Sequence, residues 1–248
     1  RRLWKLEHHR YLTTLRFPQQ KYIYGLGRVG LSALVEQGMV EQEVLEERLR
    51  THELSEFFLR HEMMIVDIHV RLSVASQQDP IRLIFWQEGS ELHDSVVAVD
   101  HKGSDRLPIR PDAFFSLLDL RRPEGANRVN YMLEADRSTT AQARFKEKIR
   151  AYWAYIEQGR HEKKFCIKGF RVLTVTLTDA RARNLAALAA SVLPERARKY
   201  FYFVSLARFL ASVEPLGERL CICPRASINE LHALVPTPNE IQTESAAG

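Results

Sequence analysis

Three acids in this chain have the types and spacing to do chemistry together: Asp112, Glu134 and Asp136. Residues 109–116 (IRPDAFFS) read as one strand, with Asp112 near its start. Residues 131–137 (YMLEADR) read as a second strand, apolar until it delivers Glu134 and Asp136. Strand side chains repeat every two residues, so Glu134 and Asp136 face the same side. If the two strands are neighbours, Asp112 joins them and three carboxylates converge. Carboxylates packed together repel, which costs stability unless a cation sits between them. Ordinary strand-end acids at a solvent rim would show the same letters.

The flanking sequence must position these acids. A helix is expected from Leu54 to Ala75, with Leu54, Phe57, Phe58, Met64, Ile65, Ile68, Leu72 and Ala75 at near-helical spacing. Its acids, Glu53, Glu56, Glu62 and Asp67, suit a solvated face, and one of them could join the cluster. The breaker Asp79-Pro80 precedes a strand at 81–86 (IRLIFW), and a polar, loop-rich interval is expected from Glu88 to Leu107. The turn Arg121-Arg122-Pro123-Glu124-Gly125 folds the two acid-bearing strands into a hairpin. Thr139-Thr140 can cap a helix over 141–158, whose inner face carries Phe145, Ile149, Tyr152, Trp153 and Ile156. A β-branched strand at 170–176, a helix over 180–193 and a strand at 200–205 follow. The tail from Leu220 holds a short strand around Cys221 and Cys223, then a loose polar segment.

The N-terminal stretch reads differently. Residues 1–15 begin as a helix with Leu3, Trp4 and Leu6 ringed by Arg1, Arg2, Lys5, His8, His9 and Arg10. The chain then turns at Tyr11-Leu12 into a strand, and a second strand lies at 22–26. A basic turn, Arg16 to Lys21, joins them, and Gly27-Arg28-Val29-Gly30 leads into a helix over 31–37 that Gly38 stops. Helix, ribbon, helix is the back half of a winged helix-turn-helix, in which the helix enters the major groove and the ribbon touches the backbone. Arg1, Arg2, Lys5, His9, Arg10, Lys21 and Arg28 are the candidate DNA contacts. A small basic packing module, or a wing that grips protein, would look similar. A protein-gripping wing should expose an apolar patch near Phe17 and Tyr22.

Composition sets the outer bounds. The chain has 248 residues, room for one large domain or two small ones. The expected division is a winged helix over 1–40, a Glu-rich linker over 41–53, a larger domain over 54–220 and a C-terminal extension over 221–248. A formal charge of +5 leans toward polyanionic partners. Three cysteines, Cys166, Cys221 and Cys223, suggest a reducing compartment without a disulfide framework, and Cys221 and Cys223 have no partners to complete a zinc site. No apolar run approaches a membrane span and no signal peptide is evident. The expectation is a cytoplasmic, nucleoid-associated protein that touches no membrane. The chain opens with Arg1-Arg2, so further N-terminal sequence is expected before it.

The fold class expected is α/β (α+β): a winged helix followed by a mixed-sheet αβββαβ core. That core has the shape of the restriction-endonuclease-like fold, whose signature is Pro-Asp, then Asp/Glu-x-Lys on a later strand. Pro111-Asp112 matches the first half, and Glu134-Ala135-Asp136 matches the second except that Asp136 stands where Lys is expected. Lys146 and Lys148, on the helix just after, are candidates for a relocated lysine. The catalytic candidates are therefore Asp112, Glu134, Asp136 and Lys148. Asp112 and Glu134 would hold magnesium, which lowers the pKa of bound water and balances phosphoryl charge. Aspartate at 136 adds negative charge and cannot replace the missing cation, which favours a retired nuclease that only holds DNA.

The sequence resembles the replication-relaxation family. The resemblance rests on 1–12 (RRLWKLEHHRYL), 24–30 (YGLGRVG), 111–114 (PDAF), 133–139 (LEADRST) and 148–152 (KIRAY), in that order. It implies a winged helix, a nuclease-like second domain and a role in DNA transactions of a mobile element, with replication or mobilisation proteins as partners. It also places Arg137 just after the acids, where it would clamp a phosphate or neutralise Glu134 or Asp136. Lys148 and Tyr152, four apart, share a helical face and either point toward the acids or pack the helix on the sheet, with packing favoured for Tyr152. Three functions stay open: a DNA-binding protein with a degenerate nuclease fold, an active magnesium-dependent endonuclease or nickase, and a non-enzymatic assembly factor. The DNA partner would be double-stranded, and a homodimer would suit a palindromic site.

Overall fold

The computed structural model describes residues 2–15, 22–39, 56–77, 80–100, 103–137 and 141–212. The chain divides into two compact units, Arg1–Leu59 and Arg60–Gly248. Outside the described residues fall Arg1, Lys21, the linker, the Thr139-Thr140 cap, Cys221, Cys223 and the tail.

In the N-terminal unit, α1 (Arg2–His8) is followed by β1 (Leu12–Leu15), β2 (Ile23–Leu26) and α2 (Arg28–Glu36). The helix stops sooner than its charge pattern suggests. Arg10 takes φ +60, and the amides of Arg10 and Tyr11 turn back onto the carbonyls of Glu7 and Leu6. This left-handed closure satisfies the last helical carbonyls, in a place usually held by glycine. β1 and β2 then pair antiparallel from Leu12↔Leu26 to Leu15↔Ile23.

The turn between α1 and β1 lies directly on the start of α2. Gly27 N–H donates to the Tyr11 carbonyl at 2.8 Å and Val29 N–H to the Arg10 carbonyl at 3.2 Å. A side chain at Gly27 or Gly30 would strike the carbonyl oxygens of Arg10 and Tyr11 respectively. Both glycines are therefore demanded by close backbone approach.

The second unit is built on a five-stranded mixed sheet in the order β3-β6-β7-β8-β9. Its strands are β3 (Ile81–Glu88), β6 (Ala113–Asp119), β7 (Arg128–Asp136), β8 (Arg171–Thr176) and β9 (Phe201–Ser205). The β3–β6 and β6–β7 pairs are antiparallel; β7–β8 and β8–β9 are parallel. The parallel steps require crossovers. These are α4 (Gln142–Glu157) with the short α5 (Arg160–Phe165), and α6 (Asp179–Val192) with α7 (Glu195–Arg198). With α3 (Glu56–Ala75) in front and α8 (Leu206–Ala211) behind, the expected αβββαβ order and mixed sheet are present.

Alternation along the strands divides the core in two. Phe115, Leu117, Tyr131, Leu133, Leu173 and Val175 face one side, where α3 covers them with Met64, Ile65, Ile68 and Leu72. Phe114, Met132, Val172 and Phe203 face the other, against Phe145, Ile149 and Tyr152 of α4 and Ala182, Leu185, Ala186 and Ala189 of α6. The alanines let α6 lie close to the sheet, while β7 reads as a continuous apolar run because it is buried on both faces.

Two expectations are corrected. Residues 109–116 are not one strand: Ile109 ends one strand, Ala113 opens the next, and Pro111, which lacks an N–H, lies at the break. The interval Glu88–Leu107 is not loop-rich. It holds a 3-10 turn (Ser90–Leu92), β4 (Asp94–Asp100) and most of β5 (Gly103–Ile109), which pair as an antiparallel hairpin. Leu92, Val96 and Ile109 bury this hairpin in the α4 core, while Val97 faces out. Acid-ended VVAV was a half-buried period-two signal that its charges obscured.

Gly30→Ala is expected to destabilise the N-terminal unit by roughly 1–3 kcal/mol, the cost of overpacking a tight contact. Urea unfolding followed by limited proteolysis of the 2–39 segment measures it. An unchanged midpoint would contradict the close approach at Tyr11.

Candidate functional site

The acids lie at one end of β6, β7 and β8, where the crossover helices begin. Asp112 stands just before β6 and behaves as an extra rung. Its N–H donates to the Leu133 carbonyl at 2.9 Å, and its Oδ2 accepts from Ala135 N–H at 2.7 Å. Its Oδ1 is 3.1 Å from His61 Nε2 on α3. A carboxylate only accepts, so the imidazole presents its N–H there. The Pro111 break thus frees a side chain at the point where backbone pairing would otherwise continue.

Glu134 lies on β7 between the two residues that Asp112 binds and is 3% exposed. Tyr152 donates its hydroxyl to Oε1 and Lys148 its ammonium to Oε2. Lys148 and Tyr152 are four apart on α4 and share a face, so one helix supplies both donors. Asp136 is also buried and accepts two bonds from the Arg181 guanidinium on α6, at 2.8 and 3.4 Å. Beyond it, Asp179 accepts from Ser205 Oγ and from Arg208 Nε at 2.9 Å. Four acids along this end of the sheet therefore meet basic groups from four helices: α3, α4, α6 and α8.

Burial pushes the Glu134 carboxyl up to about 7, with Asp112 adding to the rise and Lys148 opposing it. The Lys148 ammonium is depressed by burial, yet the attraction of Glu134 leaves it above the usual lysine value. Burial and the neighbouring Glu134 hold the Tyr152 hydroxyl well above its usual value, so it remains a donor. The hydrogen bond to Asp112 raises the His61 imidazole, outweighing the opposing effect of burial.

The sequence foresaw Asp112 and Glu134 as neighbours, and Glu134 and Asp136 on one side of β7. Of the two roles open to Tyr152, pointing toward the acids or packing, packing was favoured; the residue packs and also binds Glu134. Glu134 meets Lys148 and Asp136 meets Arg181, and Arg137, half-buried at the end of β7, is partnered as well. The group α3 contributes is His61, where its acids had been considered. His61 and Arg181 left no local signal, because each is one charge on an amphipathic helix whose target is distant in sequence. Lys146 is exposed on α4. Among the described residues, no group of three or more His, Cys, Asp or Glu is placed to hold a metal ion. Arg2, Lys5, His9, Arg10 and Arg28 of the N-terminal unit are all exposed.

The family model named Replication-relaxation matches residues 1–168. This chain belongs to the replication-relaxation family. Membership gives it a role in replication or mobilisation. The match covers the N-terminal unit and the second unit through β7 and α4, including Asp112, Glu134, Asp136 and Lys148. Searches of curated proteins and of solved structures found no match to this family member. No helix among the described residues is long and apolar enough to cross a membrane.

The raised groups set a pH dependence. Glu134 binds its proton more tightly folded than unfolded, so its contribution is fully present below 4.5 and is lost as pH rises through about 7. His61 follows the same sign, with its contribution complete below 6.5 and lost above its raised value. Lys148→Met removes the cation that favours the ionised carboxyl, so the loss is expected to be about 1 kcal/mol greater near pH 8 than near pH 5. Chemical denaturation at the two pH values tests this. Equal losses at both would mean that Lys148 acts through packing alone.

Proposed function

We propose that this chain is a DNA-binding protein acting in replication or mobilisation of a mobile element such as a plasmid, phage or transposon. The N-terminal unit is a winged helix that holds double-stranded DNA, and the second unit is a nuclease-like core that no longer cuts. The helix–ribbon–helix order and the exposed Arg2, Lys5, His9, Arg10 and Arg28 support the first part. The αβββαβ order, with Asp112 and Glu134 at adjacent strand ends, supports the second.

The observation that carries this reading is that the acids are already satisfied. Magnesium takes oxygen ligands in a near-octahedral set, often one or two carboxylates plus substrate phosphate. Asp112 and Glu134 offer the right atoms. Hydrogens from His61, Ala135, Lys148 and Tyr152 nevertheless point at all four of their oxygens. The Lys148 ammonium stands where a metal cation would neutralise Glu134. As placed, these residues do not fit a magnesium ion, and no step is assigned to one.

The second reading, an active magnesium-dependent endonuclease or nickase, draws on the same Lys148. It reaches Glu134 from α4, as a lysine relocated from the Asp136 position would. Supercoiled plasmid incubated with magnesium or manganese decides between them. The expected result is intact plasmid. Nicking that disappears in Asp112→Ala and Glu134→Ala would establish the endonuclease instead.

Duplex binding should fall roughly 100-fold between about 50 and 200 mM salt if four phosphates are contacted. The combined Arg2→Glu, Lys5→Glu, Arg10→Glu variant should lose binding altogether, as measured by fluorescence anisotropy. Binding unchanged by these reversals would refute the winged-helix assignment.

A further inference from the structure

We propose that the stacked Trp4–His8 pair on α1 is a platform for an unpaired DNA base, so that the N-terminal unit prefers single-stranded or melted DNA to intact duplex. This rests on the DNA-binding reading above and adds to the duplex assigned there an unpaired strand that binds more tightly.

No residue of α1 is buried. Trp4 is 62% exposed, and its ring lies 5.2 Å from that of His8 with the planes 15° apart. The two residues are four apart, so the helix stacks them on one face. Lys5 follows Trp4 a quarter-turn around the same short helix, and Arg10 closes its end. Both cations are exposed. On β2 and just before it, Tyr24 and Tyr22 are also exposed, two residues apart and therefore on one face of the ribbon.

Flat rings interleaved with cations match the chemistry of an unpaired strand. Its phosphates are anionic, and its bases offer faces as well as edges. In a duplex those faces are stacked inside, and a groove-reading helix meets only base edges, which polar donors such as Arg, Asn and Gln read. An indole has one ring N–H and a large apolar face, so it gains little from a base edge and much from a base plane. Such stacking is sequence-tolerant, because every base has a π-face.

The experiment uses the full 248-residue chain, a labelled mixed-sequence single strand of roughly 20 nucleotides and the matching blunt duplex. The single strand is expected to bind more tightly and to quench tryptophan emission. Trp4→Ala should weaken single-strand binding about tenfold, leave duplex affinity within about twofold, and lose the quenching. Trp4→Phe, which keeps a ring, should retain most of the affinity. Equal binding of both forms, with Trp4→Ala silent on the single strand, overturns the platform and leaves the DNA-binding reading standing. If neither form binds, both fall, and the exposed rings belong to a protein partner.

Discussion

A buried carboxylate has to find donors, and the second unit is arranged around that demand at Glu134. Taking a carboxylate out of water costs several kcal/mol, and the cost is offset only when its oxygens receive well-placed donors. Lys148 and Tyr152 meet the requirement together because they are one helical turn apart. The requirement fixes the rotation of α4: turned by one residue, the helix would bring neither donor to β7. The β4–β5 hairpin then rests on the rotation so fixed, since Tyr155 of the same helix donates to Asp94 at 3.0 Å. Asp136 with Arg181 does the same for α6, and Asp112 with His61 for α3. Each helix is thus pinned twice, by an apolar stripe that sets its depth and a polar contact that sets its register.

The apolar stripes were legible in the sequence, and the polar contacts largely were not. An apolar run ending in Glu134 and Asp136 declared β7, a β-branched run at 170–176 declared β8, and the periodicity of Phe145, Ile149 and Tyr152 declared α4. Their order gave the mixed sheet. The carboxylates could be placed because strand alternation relates Glu134 to Asp136 directly. Their partners were harder, since His61 is 51 residues from Asp112 and Arg181 is 45 from Asp136. Nothing in local spacing marks one arginine of α6 above its neighbours. Lys148 was singled out as a relocated lysine that shares a helical face with Tyr152. The hairpin was overlooked for a related reason: its outward face and acidic ends diluted an alternation that burial of Val96 and Ala98 makes plain.

Buried ion pairs are poor evidence of a need for stability. Apolar residues of similar shape often serve as well or better, whereas removing one partner is severe. The acids here therefore call for a reason beyond holding the sheet together. Their place supplies one. Open α/β sheets bind ligands outside the carboxyl ends of their parallel strands, and Glu134, Asp136 and the α6 start are at those ends of β7 and β8. Acids at such an edge, with a basic partner for each, have their charge settled internally, and the proposed reading makes this end ligand-facing.

That internal settlement bears on the proposed contact with DNA. Unpaired carboxylates at a ligand-facing edge repel phosphates unless a metal stands between them. With His61, Lys148, Arg181 and Arg208 drawn inward, the edge loses most of its negative field without one. The same cations are then poor phosphate ligands, being committed to their acids. On the proposed reading, attraction to polyanion comes from cations with no such commitment to the sheet, and Arg2, Lys5, Arg10 and Arg28 are exposed in the N-terminal unit.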